Sequence, residues 1–236
     1  MSLLPQSKSE VNTKLSDQII LLYGRPKIGK STLCSYFPDA LFIATEPGLN
    51  HLSVFKVDVN SWAKFLEICK ELSTGKHTFK TIVIDTVDNL VGFCNDFVCQ
   101  ENNISHISEL PMGKGWAKAT YEFTRVINKL SMLGIGLVIV GHSKQEEIET
   151  KTKKYNRWTL NLGGKTQDAV LALPDLILFM DSEVRNGEEF GIIRTKPSMF
   201  YDAGDKSKRL PESIEFPLDN PKVAYDKIVE AFNKKQ

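Results

Sequence analysis

Apolar and polar positions along this chain fall into alternating strand-like and helix-like stretches. Ile19–Tyr23 is a short continuous apolar run, which predicts a buried strand. Ala40–Thr45 (ALFIAT) predicts a second, and Val54–Val59 a weaker third. Within Ser61–Leu72, Trp62, Phe65, Leu66 and Cys69 recur at helical spacing. Thr81–Ile84 (TIVI) is a β-branched strand ending at Asp85, and a helix follows from Asp88 to about Gln100. Trp116, Ala119, Phe123, Val126, Ile127 and Leu130 mark a long amphipathic helix. Gly136–Val140 (GLVIV), Leu176–Met180 and Phe190–Thr195 complete the strands. Asn220-Pro221 opens a C-terminal helix with Tyr225, Ile228, Val229 and Phe232 on one face.

Strands that are apolar on both faces and alternate with helices predict an α/β fold: a mostly parallel central sheet covered by helices on both faces. Such sheets bind ligands beyond the carboxyl ends of their strands, so the site is expected there. Residues 1–15 are polar and predict a flexible tail ahead of a single domain, 16–236.

Composition narrows the classes further. The chain has 236 residues, which suits one α/β domain. Its 30 Lys and Arg nearly cancel its 29 Asp and Glu, so bulk charge does not indicate a strongly basic nucleic-acid protein. A local basic patch stays open. Cys34, Cys69, Cys94 and Cys99 show no paired metal spacing and read as reduced, buried or semi-buried thiols. The N-terminus lacks an apolar signal-peptide core. The most apolar stretch, AVLALPDLILFM, is interrupted by Pro174 and Asp175 and is too short to span a bilayer. A cytoplasmic protein with no membrane partner is expected.

The chemistry enters with Gly24-Arg25-Pro26-Lys27-Ile28-Gly29-Lys30-Ser31, a full match to G-x-x-x-x-G-K-[ST]. An apolar strand precedes it and a helix is expected after it. The glycines let backbone N–H groups turn inward on phosphate oxygens, and the helix N-terminus adds partial positive charge. Gly24 through Ser31, with Thr32, are therefore the candidate nucleotide-binding residues. Lys30 would reach the β and γ phosphates, and Ser31 would ligate Mg²⁺. Asp85, closing a strand at the right order and distance, is the second candidate metal residue, as in a Walker B strand.

The branch of the P-loop class follows partly by elimination. Asn128-Lys129 and Asn233-Lys234 lack the Asp of an N-K-x-D guanine box, which favours ATP over GTP. An AAA+ ATPase of the lidded type needs a helical domain after the core, and no such segment is visible. No arginine-rich kinase lid stands out. Thr86 follows Asp85, so the hydrolytic base comes from elsewhere. Glu46, directly after the ALFIAT strand, would lie at the same rim and could polarise the attacking water. A solvated turn glutamate is the competing reading.

The stretch FIATEPGL resembles the segment of RecA-type ATPases that carries their catalytic glutamate. The order phosphate loop, Glu46, Asp85, then GLVIVGHS is also the RecA-core order. The resemblance gives His142 the γ-phosphate sensor position. RecA itself has Gln there, so this chain departs from it, while ring helicases of the class can carry His. A loop histidine with only structural bonds is the alternative. More closely, the chain resembles short phage and prophage nucleotide-binding proteins with a RecA-like core, some of them single-strand annealing ATPases. The matching stretches are GRPKIGKSTL, ATEPGL, TIVIDTVDNL, PMGKGW, VIVGHSKQEE, LNLGGKTQDAVLALPDLILFM and RTKPSMFYDAGDKSKRLPE.

That resemblance implies a Mg-dependent ATPase acting on single-stranded DNA as a ring or filament of identical copies, beside phage recombination or replication proteins. Glu46, Lys30 and His142 would be its catalytic set. Two loops are implied for DNA, one near Pro111–Trp116 with Lys114, the other within Ser143–Thr166. The second holds Lys151, Lys153, Lys154, Tyr155, Arg157 and Trp158, cations for phosphates and rings for bases. A solvated hairpin tip is the competing reading, and Trp116 is expected to pack as helix core. Arg194 and Lys196 are the implied trans-acting cations, with an edge hairpin as the alternative. A ring translocase or helicase motor, and a nucleotide switch that binds a partner protein, stay open as other function classes.

Overall fold

The computed structural model describes residues 14–234 together with residues 4 and 6–8. Most of the expected N-terminal tail lies outside the described residues. Its boundary moves, because Leu15 is buried and opens a short 3-10 turn, Leu15–Asp17.

The elements in chain order are β1 (Ile19–Gly24), α1 (Lys30–Cys34), β2 (Ala40–Ala44), β3 (Phe55–Asp58), α2 (Trp62–Leu72), β4 (Thr81–Asp85) and α3 (Val87–Glu101). They continue with α4 (Lys114–Ser131), β5 (Gly136–Glu149), β6 (Lys154–Leu160), α5 (Gly164–Ala172) and β7 (Leu176–Arg185). Last come β8 (Glu188–Arg194), β9 (Gly204–Asp205), β10 (Ser213–Phe216) and α6 (Lys222–Asn233).

The main sheet runs β10-β8-β7-β1-β5-β4-β2-β3. Pairings from β7 through β3 are parallel, while β8 and β10 add antiparallel strands at one edge. The phosphate-loop strand β1 and the Asp85 strand β4 are not neighbours, because β5 lies between them. This order, with a strand inserted between the phosphate-loop strand and the Asp85 strand and helices on both faces, is a P-loop α/β core.

Alternation along β1 shows how the two layers form. Ile20 and Leu22 join a core with Leu33 of α1 and Ile228 and Phe232 of α6. Leu21 and Tyr23 point the other way, toward the buried faces of α2, α3 and α4. In α2, Trp62, Phe65, Ile68 and Leu72 are buried at helical spacing, and the Ser61 hydroxyl caps the first turn by accepting from Lys64 N. Truncating a fully buried ring such as Phe65 costs roughly 3–5 kcal/mol in transfer and cavity terms.

Several expectations need correction. β5 runs on to Glu149 rather than stopping at Val140, and β7 to Arg185 rather than Met180. Both extra lengths are hairpin arms with half-exposed polar faces, so they lack the apolar run that marks a buried strand. The expected second DNA loop within Ser143–Thr166 is the β5–β6 hairpin and the start of α5. Helix α5 and strand β10 had no expectation at all. Trp116 is not helix core: it is 49% exposed, with an edge contact to the His106 ring. The buried position on that turn is Gly115, where a Cβ would come within 2.1 Å of the Ile107 carbonyl oxygen. Trp116, the next residue, lies outside that seam.

All four cysteines are free, with Cys34, Cys94 and Cys99 buried. No helix among the described residues is long and apolar enough to cross a membrane.

Candidate active site

The site starts where β1 ends. Gly24 passes so close to β7 that a Cβ there would lie 2.2 Å from the Met180 carbonyl oxygen. The chain then turns through Lys27 and Gly29, at φ of 63° and 98°, a conformation that glycine adopts without strain. Lys30 follows as the first residue of α1. Its Nζ donates to the Gly24 and Arg25 carbonyl oxygens at 3.0 and 2.8 Å, so the ammonium sits inside the curl of the loop. It is 6% exposed. Burial pulls its pKa down, opposed by Asp85, Asp88 and Glu46.

The helix is shorter than the argument for its dipole assumed. At five residues, α1 supplies little macrodipole, which leaves the loop backbone and Lys30 as the groups an anion would meet. Among the other loop residues, Pro26, Lys27 and Thr32 line the cavity, whereas Ile28 is buried. Arg25 leans away to β7, with Nε 3.4 Å from Asp181 and an N–H bond of 2.5 Å to Ser182 Oγ.

Strand β4 delivers Asp85 to the same rim, and Ser31 Oγ donates to Asp85 Oδ2 at 2.7 Å. Burial raises the Asp85 pKa, offset by the Ser31 hydrogen bond and raised again by Glu46. The cis Asp85–Thr86 peptide is flanked by Thr45, whose hydroxyl accepts from Thr86 N and donates to Thr86 O, both at 2.8 Å. Because β2 neighbours β4, the next residue after Thr45, Glu46, also reaches this rim.

His142 does not close its strand. It is the last residue of β5 in register with β1, opposite Gly24, and β5 continues from it into the hairpin. Its ring Nε2 lies 4.0 Å from Glu46 Oε1, and its Nδ1 lies 3.6 Å from Asp88 Oδ2.

Sequence reasoning missed two residues here. Asp88 Oδ2 accepts the His142 backbone N–H at 3.0 Å, and Asn89 Nδ2 donates to Glu46 Oε2 at 3.1 Å. Asp88 Oδ1 is buried with no hydrogen-bond partner among the described residues, and burial raises this carboxyl's pKa. The signal available was D-x-x-D-N: residues one helical turn past Asp85 return to the strand rim.

Lys27, Lys30, Ser31, Glu46, Asp85 and His142 all line one cavity of about 580 Å³. That size suits a nucleotide-scale ligand. The donor set also suits the groups expected in it. A buried ammonium within the loop would suit a polyphosphate, and a hydroxyl–carboxylate pair offers the hard oxygen ligands that Mg²⁺ prefers.

The other expected residues are scattered. Lys114 is exposed at the start of α4. Lys151 and Lys153 are exposed at the hairpin tip. Lys154 pairs with Glu147 and Glu149, Tyr155 meets Phe200 edge-on, and Arg157 pairs with Asp202. Trp158 stacks on Phe179 at 6.3 Å rather than standing free. Arg194 pairs with Glu183 and sits over the Tyr201 ring, while Lys196 pairs with Asp205 at 3.2 Å.

Fold and site together define a P-loop nucleoside-triphosphatase domain. The chain belongs to a family described as AAA domain, whose match spans residues 16–207. That description is broader than the lidded AAA+ type set aside from the sequence. The chain is also similar to the SPbeta prophage-derived uncharacterized protein YorG of Bacillus subtilis (strain 168), 28% identical over 181 residues. The match covers 74% of this chain and 54% of YorG, so the chain spans about half the length of that curated relative. Among solved structures, the flagellar accessory protein FlaH from Methanocaldococcus jannaschii matches at a TM-score of 0.47 and 10% identity. That match covers 86% of this chain and 85% of FlaH, and nothing about function follows from it.

Proposed function

We propose that this chain is a Mg-dependent ATPase that works on single-stranded DNA in phage recombination or replication, as a ring or filament of identical copies. One observation carries the hydrolytic reading: Lys30, the Ser31–Asp85 pair, Glu46 and His142 line a single cavity at the carboxyl ends of three strands. Lys30 and the loop amides bind the terminal phosphates. Ser31 and Asp85 would hold Mg²⁺, which when bound neutralises charge on those phosphates. Glu46 accepts a proton from the attacking water, a role worth 10²–10⁴-fold in rate as an order of magnitude. His142 meets the terminal phosphate and reports its presence along β5.

Support for the DNA part is of a different kind. It comes from the prophage origin in the name of the relative, the resemblance of the motifs, and the exposed Lys114, Lys151 and Lys153. A second reading is favoured by the pairing of Lys154, Arg157, Arg194 and Lys196 within the chain. Cations neutralised in this way suit a nucleotide switch that docks a partner protein. Steady-state ATP turnover with and without single-stranded DNA separates the two. Stimulation by DNA supports the first reading, and turnover indifferent to DNA supports the second.

A further inference from the structure

We propose that Asn89 is a positioning residue for hydrolysis, holding Glu46 in the orientation that lets its second oxygen meet the water. This rests on the reading of Glu46 as the base.

Glu46 needs such a hold. It lies just past the end of β2, before Pro47 and Gly48, and its side chain is 37% exposed. A glutamate with free torsions gives up side-chain entropy when fixed, so an unrestrained one spends little time in a single pose. Asn89 supplies a restraint from a rigid origin. Its neighbours Val87 and Leu90 are fully buried in the core, which fixes the first turn of α3. Leu90 N closes that turn on Thr86 O at 3.3 Å.

The direction of the bond is set by chemistry. A carboxylate only accepts, so the amide must present its nitrogen, as it does at 3.1 Å to Oε2. The same nitrogen lies 3.5 Å from Thr45 O, which keeps it aimed at this rim. Glu46 Oε1 makes no hydrogen bond among the described residues and stands 4.0 Å from His142 Nε2. One oxygen is therefore anchored and the other is open toward the cavity, as a general base requires. On the adjacent position, Asp88 holds the His142 backbone N–H. Consecutive residues of one helical turn thus hold the base and the sensor strand together.

The test is a double-mutant cycle on the full chain, reading kcat, KM, fluorescent-nucleotide affinity and thermal midpoint. Asn89→Ala is paired with Asn89→Asp, which keeps the size and replaces the donor with an oxygen. Each should lower kcat about tenfold, with KM and nucleotide affinity within about twofold and folding intact. In a Glu46→Gln background, Asn89→Ala should add nothing further, because it acts through that carboxylate. Unchanged or raised kcat in both Asn89 variants overturns the inference, and so does an additive loss or a loss confined to nucleotide binding. If Glu46→Gln itself leaves turnover unchanged, the base assignment falls and this inference falls with it. A sensitive Glu46 beside silent Asn89 variants removes only the inference.

Discussion

Ser31 Oγ and Asp85 Oδ2 are 2.7 Å apart although 54 positions separate them in sequence and β5 separates their strands in the sheet. The intervening strand pairs with both and spaces β1 from β4, and the loop curls across that spacing. The hydroxyl and the carboxylate close that gap from opposite sides, and Lys30 lies beside them. A polyphosphate and its metal ion are the ligands this arrangement suits.

Removing either member should therefore show as a magnesium-dependent defect. Ser31→Ala and Asp85→Asn should weaken ATP binding by about tenfold or more in excess Mg²⁺. With the metal chelated, both should bind like the unaltered chain. Titration of a fluorescent ATP analogue in both conditions checks this, and a defect that survives chelation contradicts it.

Gly24 tests whether the strand must carry glycine where it grazes β7. A Cβ there meets the Met180 carbonyl oxygen at 2.2 Å, a backbone atom that cannot swing aside, whereas a Cβ at Gly48 meets nothing within 4 Å. Gly24→Ala should cost roughly 3 kcal/mol or more, and Gly48→Ala should stay within about 0.5 kcal/mol. Urea denaturation of both variants decides it.

Asp205 gives a pH signature away from the site. Burial alone would raise its pKa, but hydrogen bonds from Ser207, Leu210 N and Lys196 outweigh that and hold the carboxyl below the usual range. A depressed folded-state value means the stabilisation is present above the unfolded pKa of about 3.9 and is lost as pH falls through the folded value. Asp205→Asn should thus cost roughly 2 kcal/mol at pH about 7, with the gap to the unaltered chain closing below pH about 4. Denaturation curves at both pH values check the sign.

On the hairpin, Lys151 and Lys153 are exposed with no ion pair among the described residues, while Lys154 and Arg157 are paired. If single-stranded DNA lies there, the Lys151→Ala/Lys153→Ala double variant should flatten the slope of log affinity against log salt by about 1.4, from about 0.7 per phosphate contact. Arg157→Ala should act mainly on stability, by freeing Asp202. An unchanged slope removes DNA from this surface.

What could be read from the sequence was what depends on near neighbours. The phosphate loop is contiguous, and the strands ending at Asp85 and before Glu46 are apolar on both faces, so their type and end were visible. The Glu46–Asn89 bond was not, because it depends on β2 lying beside β4, a fact of sheet order. Trp116 misled because its spacing to Ala119 and Phe123 is helical, while the seam runs instead through Gly115, Ala119 and Phe123. A buried glycine leaves no apolar mark. The arms of β5 and β6 are the hairpin that stood as the competing reading there; they show no buried apolar run because one face carries Gln145, Glu147, Glu149, Lys154 and Asn156, all exposed.

The proposed role of Glu46 as the base of an ATPase is decided by a binding titration run beside phosphate release. The unaltered chain and Glu46→Gln should bind MgATP within about twofold of each other, while phosphate release by the variant falls at least about 100-fold. Equal release by the two proteins, or none from the unaltered chain, would contradict the account.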